Sequence, residues 1–327
     1  MRGSASVCGS ARRTLGGERQ RRECTSMQRN AMIAGVVLLA GTLAGSASAE
    51  QRVERNVVYG MYSGLALLMD VYHPEESNGY GVLVIWGSAW QSTLAQNAWQ
   101  LKEDGAFSPL PDAGYTVFVI NHRAAPRFRY PAAVEDAQRA VRFIRHHAED
   151  YGITADRIGG VGSSSGAHLV SMLGTLDGQG DPDDLDPVNR ASAKLQAVVS
   201  FAGPSDLATM AIAPVVSFIG MPLRPGDTTS EAYRMYWEAS PANHVSRDDA
   251  PFLLIHGDAD EAAPFEQALV MERALSQAGV ERRLVRVPDG PHAVFRVLNR
   301  DGSLPTETGR FEEAEVVDWF DTHLRNH

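Results

Sequence analysis

A serine, a carboxylate and a histidine met in a suitable order along a chain are the raw materials of nucleophilic acyl transfer. A hydroxyl is a weak nucleophile until an imidazole takes its proton, and the imidazole needs a carboxylate to fix its tautomer and stabilise the imidazolium. Gly162-Ser163-Ser164-Ser165-Gly166 supplies the first member, with Ser164 at its centre. Small residues on both sides suit a strained turn that exposes the central hydroxyl, because larger neighbours would crowd the adjacent backbone. The partners should lie on loops further along the chain, the acid before the histidine. His256-Gly257-Asp258-Ala259-Asp260 follows an apolar run ending at Ile255, and Pro288-Asp289-Gly290-Pro291-His292 follows one ending at Val287. His292 is the expected base. His73, His122, His146 and His147 precede the serine, and His323 and His327 fall at the end of the chain. His168 sits one turn into the helix that Ser164 would open, where packing is the expected role; His244 and His256 are weaker competitors. For the acid, Asp258 and Asp260 both fit, and Asp289 reads as a turn residue.

These groups can meet only if a sheet delivers them to one edge. Arg157 to Val161 reads as a short buried strand and Ala167 to Leu173 as a helix, so Ser164 falls on a strand-to-helix turn. Gly81 to Trp86 and Tyr115 to Ile120 are continuous apolar runs, suited to strands buried on both faces of a parallel sheet. Val57 to Tyr59 and Leu65 to Tyr72 read as earlier strands, and Leu195 to Phe201, Pro251 to His256 and Arg283 to Val287 as later ones. Helices are expected from Pro131 to about Glu149, over Phe265 to Ala278, and from about Arg310 to Leu324. This alternation predicts an α/β fold, a mostly parallel doubly wound sheet with helices on both faces. Residues 204–245 have little strand character and suit a small helical cap. Asp177 to Asp184 clusters carboxylates, but Gly, Pro and Asp also compose ordinary turns, and no metal is expected there.

The chain's formal charge is −10, and residues 1–49 carry seven Arg against two Glu, so the remainder is more acidic still. That argues against nucleic acid and anionic membrane surfaces as partners. Residues 1–26 show no periodicity and read as a mis-called or non-native start. Met27 to Ala49 has the charged, apolar and small-residue regions of a secretory signal peptide, with cleavage expected after Ala49 and the product secreted or periplasmic. Its apolar run, Ala31 to Leu43, is short for a bilayer span, so no stable membrane anchor is expected. Both cysteines, Cys8 and Cys24, precede Met27. Residues 50–327 therefore form no disulfide and offer no thiol nucleophile.

Several segments in the right order resemble the α/β-hydrolase carboxylesterases, in the group that joins feruloyl-esterase-like and hormone-sensitive-lipase-like enzymes. They are Leu68-Met69-Asp70-Val71-Tyr72, Arg157-Ile158 leading into Gly162 to Gly166, Phe201 to Leu207, Ser240-Pro241-Ala242, and His256 to Asp260 before Pro264. The resemblance implies an α/β-hydrolase catalytic domain over 50–327, with Ser164 as nucleophile and His292 as base. It implies Asp260, the second Asp after His-Gly, as the acid. It also implies no cofactor and a small-molecule ester as substrate. One motif departs. Where that group carries His-Gly-Gly-Gly-Trp, this chain reads Trp86-Gly87-Ser88-Ala89-Trp90. By position the oxyanion donors would be the backbone N–H groups of Ser88, Ala89 and Ser165. Glycine permits positive φ, so Ser88 and Ala89 challenge that geometry. Trp86, Trp90 and Trp237 are candidate walls of a pocket for a short acyl group or an aryl ester. Two rivals remain at this point: small-amide, formamide or peptide hydrolysis by the same three residues, and a hydrolase-like binding module with a disabled site.

Overall fold

The computed structural model describes residues 52–62, 64–91, 109–292 and 308–325. The proposed leader segments, 1–26 and 27–49, lie outside them. Strands β1 (Val53–Tyr62), β2 (Leu65–Tyr72) and β3 (Gly81–Ile85) come first, then a one-turn helix α1 (Pro109–Asp112) and β4 (Thr116–Ile120). Helix α2 (Ala132–His146) leads to β5 (Ile158–Ser163), α3 (Ser165–Thr175) and β6 (Ala197–Phe201). Two short helices, α4 (Ala213–Ile219) and α5 (Glu231–Glu238), fill the stretch between β6 and β7 (Phe252–Gly257). Helix α6 (Glu266–Ala278), β8 (Arg282–Val287) and α7 (Thr308–Phe320) complete the order.

The strands form one sheet in the order β1-β2-β4-β3-β5-β6-β7-β8. From β4 to β8 every pairing is parallel, and β2 runs antiparallel to both β1 and β4. The five-residue β3, β4 and β6 are buried at every position, as expected of strands covered on both faces. One face packs against α2 and α3 through Ala133, Ala137, Val141, Leu169 and Leu173; the other holds Val84, Val119, Phe201, Phe320 and Leu324.

Strand β1 is longer than the three residues read from the sequence. Its register shifts twice, between Glu54 and Val57 and between Val58 and Gly60. Such bulges erase the period-2 alternation by which an edge strand is recognised. The expected helix from Pro131 ends three residues early, at His146, where Arg145 offers positive charge to the C-terminal dipole. Ser230 caps α5 by accepting the Tyr233 N–H at 3.1 Å, and left-handed Gly279 closes α6.

Loop 121–131 is anchored before it reaches the candidate site. Asp136, in the second turn of α2, accepts from the Arg123 backbone N–H at 2.7 Å and from its Nε at 2.9 and 3.0 Å. Both side chains are buried, so the pair is stable only because its hydrogen bonds are satisfied, Arg123 also reaching Ala132 O and Glu135. Ala125 N–H then donates to the Trp90 carbonyl at 3.0 Å, tying this loop to the one after β3.

Candidate active site

The carboxyl ends of β5, β7 and β8 bring Ser164, Asp260 and His292 together. His292 Nε2 lies 2.9 Å from Ser164 Oγ, and its Nδ1 lies 2.7 Å from Asp260 Oδ2. Asp260, not Asp258, therefore meets the histidine. Asp258 pairs instead with Arg286 Nε at 2.7 Å and accepts the Asp289 N–H at 2.6 Å, which braces the two loops that carry Asp260 and His292.

Ser164 is the residue between β5 and α3, with φ 51° and ψ −123°. This backbone strain is held by its neighbours: Ser164 N–H donates to Phe201 O at 2.8 Å, and Ser164 O accepts the His168 N–H at 3.0 Å. Glycine is required at 166, where a Cβ would run into the Ile85 carbonyl, and at 87, where it would lie 2.6 Å from Ser164 Cβ. The elbow can thus press against the end of β3.

Asp260 is buried and fully engaged. Oδ1 accepts the N–H groups of Ala262 and Ala263, each at 2.8 Å. Oδ2 faces His292 and also His256 Nε2, 3.2 Å away, which lies 2.8 Å from the Ala263 carbonyl as well. Burial pushes the carboxyl upward, but hydrogen bonds from His256, His292 and Ala263 outweigh it and hold Asp260 well below the usual carboxylate range. It is a fixed anion throughout the neutral pH range. His256, a weaker candidate for the base, stands behind the acid instead, and the His256-Gly257 pair directly before Asp258 is the sequence signal for it.

The loop after β3 takes up the conformation that its residue types disfavour. Ala89 has φ 54° and Trp90 φ 60°, the left-handed region that costs a non-glycine residue roughly 1–2 kcal/mol. The serines flanking the nucleophile hold this loop, a role that three consecutive serines in sequence do not by themselves reveal. Gly87 N–H donates to Ser163 Oγ at 3.0 Å and Ser88 N–H to Ser165 Oγ at 2.9 Å. This corrects one expectation: the Ser88 N–H is already spent, so it is not a free oxyanion donor. The Ala89 N–H has no acceptor among the described residues. Ser165 opens α3, so its N–H has no intrahelical acceptor, and it sits at the positive end of the helix dipole.

The three tryptophans differ. Trp86 is fully buried in the core cluster with Val84, Val119 and Phe320, so it has no surface to offer a substrate, and the expectation that it walls a pocket is corrected. Trp90 is also buried; its indole donates to His168 Nδ1 at 3.2 Å and stacks on Phe218 with ring centroids 4.5 Å apart. Trp237 is exposed on α5, edge-on to His244. Burial pushes the His168 imidazole down to about 4, and its Nε2–H donates to Ala239 O at 2.7 Å. In the loop from Asp177, Asp181 and Asp184 accept backbone N–H groups of Asp183 and Asp186, and Asp186 accepts that of Val188; these are turn contacts, and among the described residues no cluster of His, Cys, Asp or Glu is placed to hold a metal.

A sheet of this order, with a strained serine between β5 and the following helix, is an α/β-hydrolase. The BD-FAE family model matches residues 69–275, which is most of the chain, and the chain belongs to that family. Esterase LipC of Mycobacterium tuberculosis is 29% identical over 262 residues, covering 77% of this chain and 62% of LipC. The chain spans about half the length of the curated relatives it matches. Among solved structures, a truncated carbohydrate esterase from gut microbiota is 27% identical with a TM-score of 0.68, over 83% of this chain and 96% of the other. An acetyl ester-xyloside bifunctional hydrolase from Caldicellulosiruptor lactoaceticus is 27% identical with a TM-score of 0.65, over 79% and 87%.

Proposed function

We propose that this chain is a serine carboxylic ester hydrolase working through Ser164, His292 and Asp260. The observation that carries this reading is the unbroken run of contacts from Ser164 Oγ through both nitrogens of His292 to Asp260. Asp260 keeps the proton of neutral His292 on Nδ1, leaving Nε2 to take the proton of Ser164 as its oxygen attacks the ester carbonyl. The N–H groups of Ala89 and Ser165 receive the negative charge of the tetrahedral intermediate. Its collapse expels the alcohol, protonated by His292, and water activated by the same imidazole then releases the acid from Ser164. No step calls for a metal or organic cofactor, and no nucleic-acid partner is proposed. Residues 50–327 form the catalytic domain, and 204–245 its cap.

The substrates we propose are short-chain esters, including aryl esters. A second reading within that class, acetyl groups on carbohydrates, is favoured by the names of the two solved structures at 27% identity. The test is a panel of esters of varied acyl length and alcohol, with acetylated xylo-oligosaccharide and an anilide control, beside labelling by a fluorophosphonate. Label on Ser164 and turnover of acetyl or propionyl esters far above the anilide is the expected result. Comparable anilide cleavage would instead make it an amidase, and folded protein that takes no label would make it a binding module.

We also propose export directed by Met27 to Ala49. Among the described residues no helix is long and apolar enough to cross a membrane. Protein recovered outside the cytoplasm should begin at Glu50 by N-terminal sequencing. A product retaining Ala31 to Leu43 would overturn cleavage and point to an anchor.

A further inference from the structure

The segment after β3 closes a turn over Ala89 and Trp90, where the Gln91 N–H donates to the Ser88 carbonyl and hydroxyl, each at 3.0 Å, and the Ala125 N–H holds the Trp90 carbonyl at 3.0 Å. Two successive non-glycine residues, Ala89 and Trp90, hold positive φ, and such a backbone persists only when its surroundings over-determine it. The bonds from Gly87 and Ser88 to the flanking serines come before these two residues. What fastens this turn to the helix after the nucleophile is the Trp90 indole. Its N–H donates to His168 Nδ1, and its ring lies almost parallel to Phe218, 8° apart. His168 is itself fixed, because its Nε2–H is committed to Ala239 O, which leaves Nδ1 as an acceptor. All three rings are buried, and His168 meets both others edge-on at 5.3 and 5.5 Å. A relay therefore runs from Ala239, beyond α5, through the helix that starts at the nucleophile, to the residue next to Ala89.

We propose that His168 is a positioning residue for ester hydrolysis, accepting the Trp90 indole N–H and so holding the left-handed backbone that presents the Ala89 N–H to the oxyanion. The inference rests on the hydrolase reading above. The charge that Ala89 meets exists only in the transition state, so a displaced donor lowers kcat and leaves substrate binding alone.

The test compares Trp90→Phe, His168→Leu and the double variant for kcat, KM and affinity for a trifluoromethyl ketone, which forms a tetrahedral adduct on the serine. Loss of a whole oxyanion donor costs about a hundred- to a thousandfold, and a displaced one should cost about ten- to a hundredfold. We expect that fall in kcat for each single variant, KM within about threefold of the parent, and a parallel fall in adduct affinity. The double variant should be no slower than the slower single one, because both remove one interaction. His168→Asn, whose amide oxygen can stand near the position of Nδ1, should recover part of the rate. Parental kcat in Trp90→Phe, losses confined to KM, or losses that multiply in the double variant would overturn the proposal. If His168→Leu does not fold, Trp90→Phe decides, since it keeps the stacked ring. A parent that neither turns over esters nor takes fluorophosphonate would bring down the hydrolase reading itself, a result distinct from an active parent indifferent to Trp90→Phe.

Discussion

Asp260→Asn is expected to lower kcat by roughly 10⁴-fold, the scale set by loss of the correct imidazole tautomer, whereas Asp258→Asn should cost less than about tenfold. The carboxylate at 260 accepts on both oxygens: Oδ1 from two backbone N–H groups, Oδ2 from His292 and His256. An amide has one oxygen. If that oxygen stays with Ala262 and Ala263, the NH₂ group faces His292 Nδ1 and forces the proton onto Nε2, where the imidazole can only donate to Ser164. If the amide turns the other way, two backbone donors confront an NH₂ group in a buried site, which costs about 1–3 kcal/mol for each unmet group. At 258 an asparagine oxygen still receives the Asp289 N–H, and the pair it gives up is with Arg286, whose side chain is 64% exposed. Steady-state rates on an ester found in the panel, with melting temperatures alongside, decide the matter. A larger loss at 258 than at 260 would reassign the acid.

Ser164→Ala and His292→Ala should each remove nearly all turnover, on the order of 10⁶-fold, and the double variant should be hardly worse than either. In the proposed mechanism the three groups act as one unit, so the first removal forfeits what the others contribute. Ser164→Ala keeps the backbone bonds to Phe201 and His168, because both use main-chain atoms, and it should melt with the parent. A folded Ser164→Ala protein retaining more than about a hundredth of the parental kcat would take Ser164 out of the chemistry.

The parts of this molecule legible in its sequence are those written in short segments. Continuous apolar runs such as Val82 to Ile85 and Val117 to Ile120 announced buried parallel strands, and Gly162 to Gly166 announced a strand-to-helix turn, because each pattern is local. The bulges of edge strand β1 hide most of its length from a period-2 pattern, and the one-turn helix α1 offers too few residues for a period. At the site, the loop positions of Asp260 and His292 could be read from the strands before them. Spacing alone leaves Asp258 and Asp260 open, since both follow the same strand; the family resemblance selects Asp260, and the fold sets it against the histidine. Trp86 and Trp90 look alike from either side of Gly87-Ser88-Ala89, yet one belongs to the core under the sheet and the other to a buried aromatic stack. The contacts of Ser163 and Ser165 join residues more than seventy positions apart, a distance no periodicity reports.

Those two hydroxyls make the variable letters of Gly-x-Ser-x-Gly dependent on a loop elsewhere in the chain. An apolar residue at 163 or 165 would strand the N–H of Gly87 or Ser88, and an altered loop would leave a hydroxyl without its donor. For recombination or directed evolution, the inheritable unit is therefore discontinuous, comprising 86–90 together with 162–166. Exchange of the pentapeptide alone between relatives would join halves that had never been selected for one another.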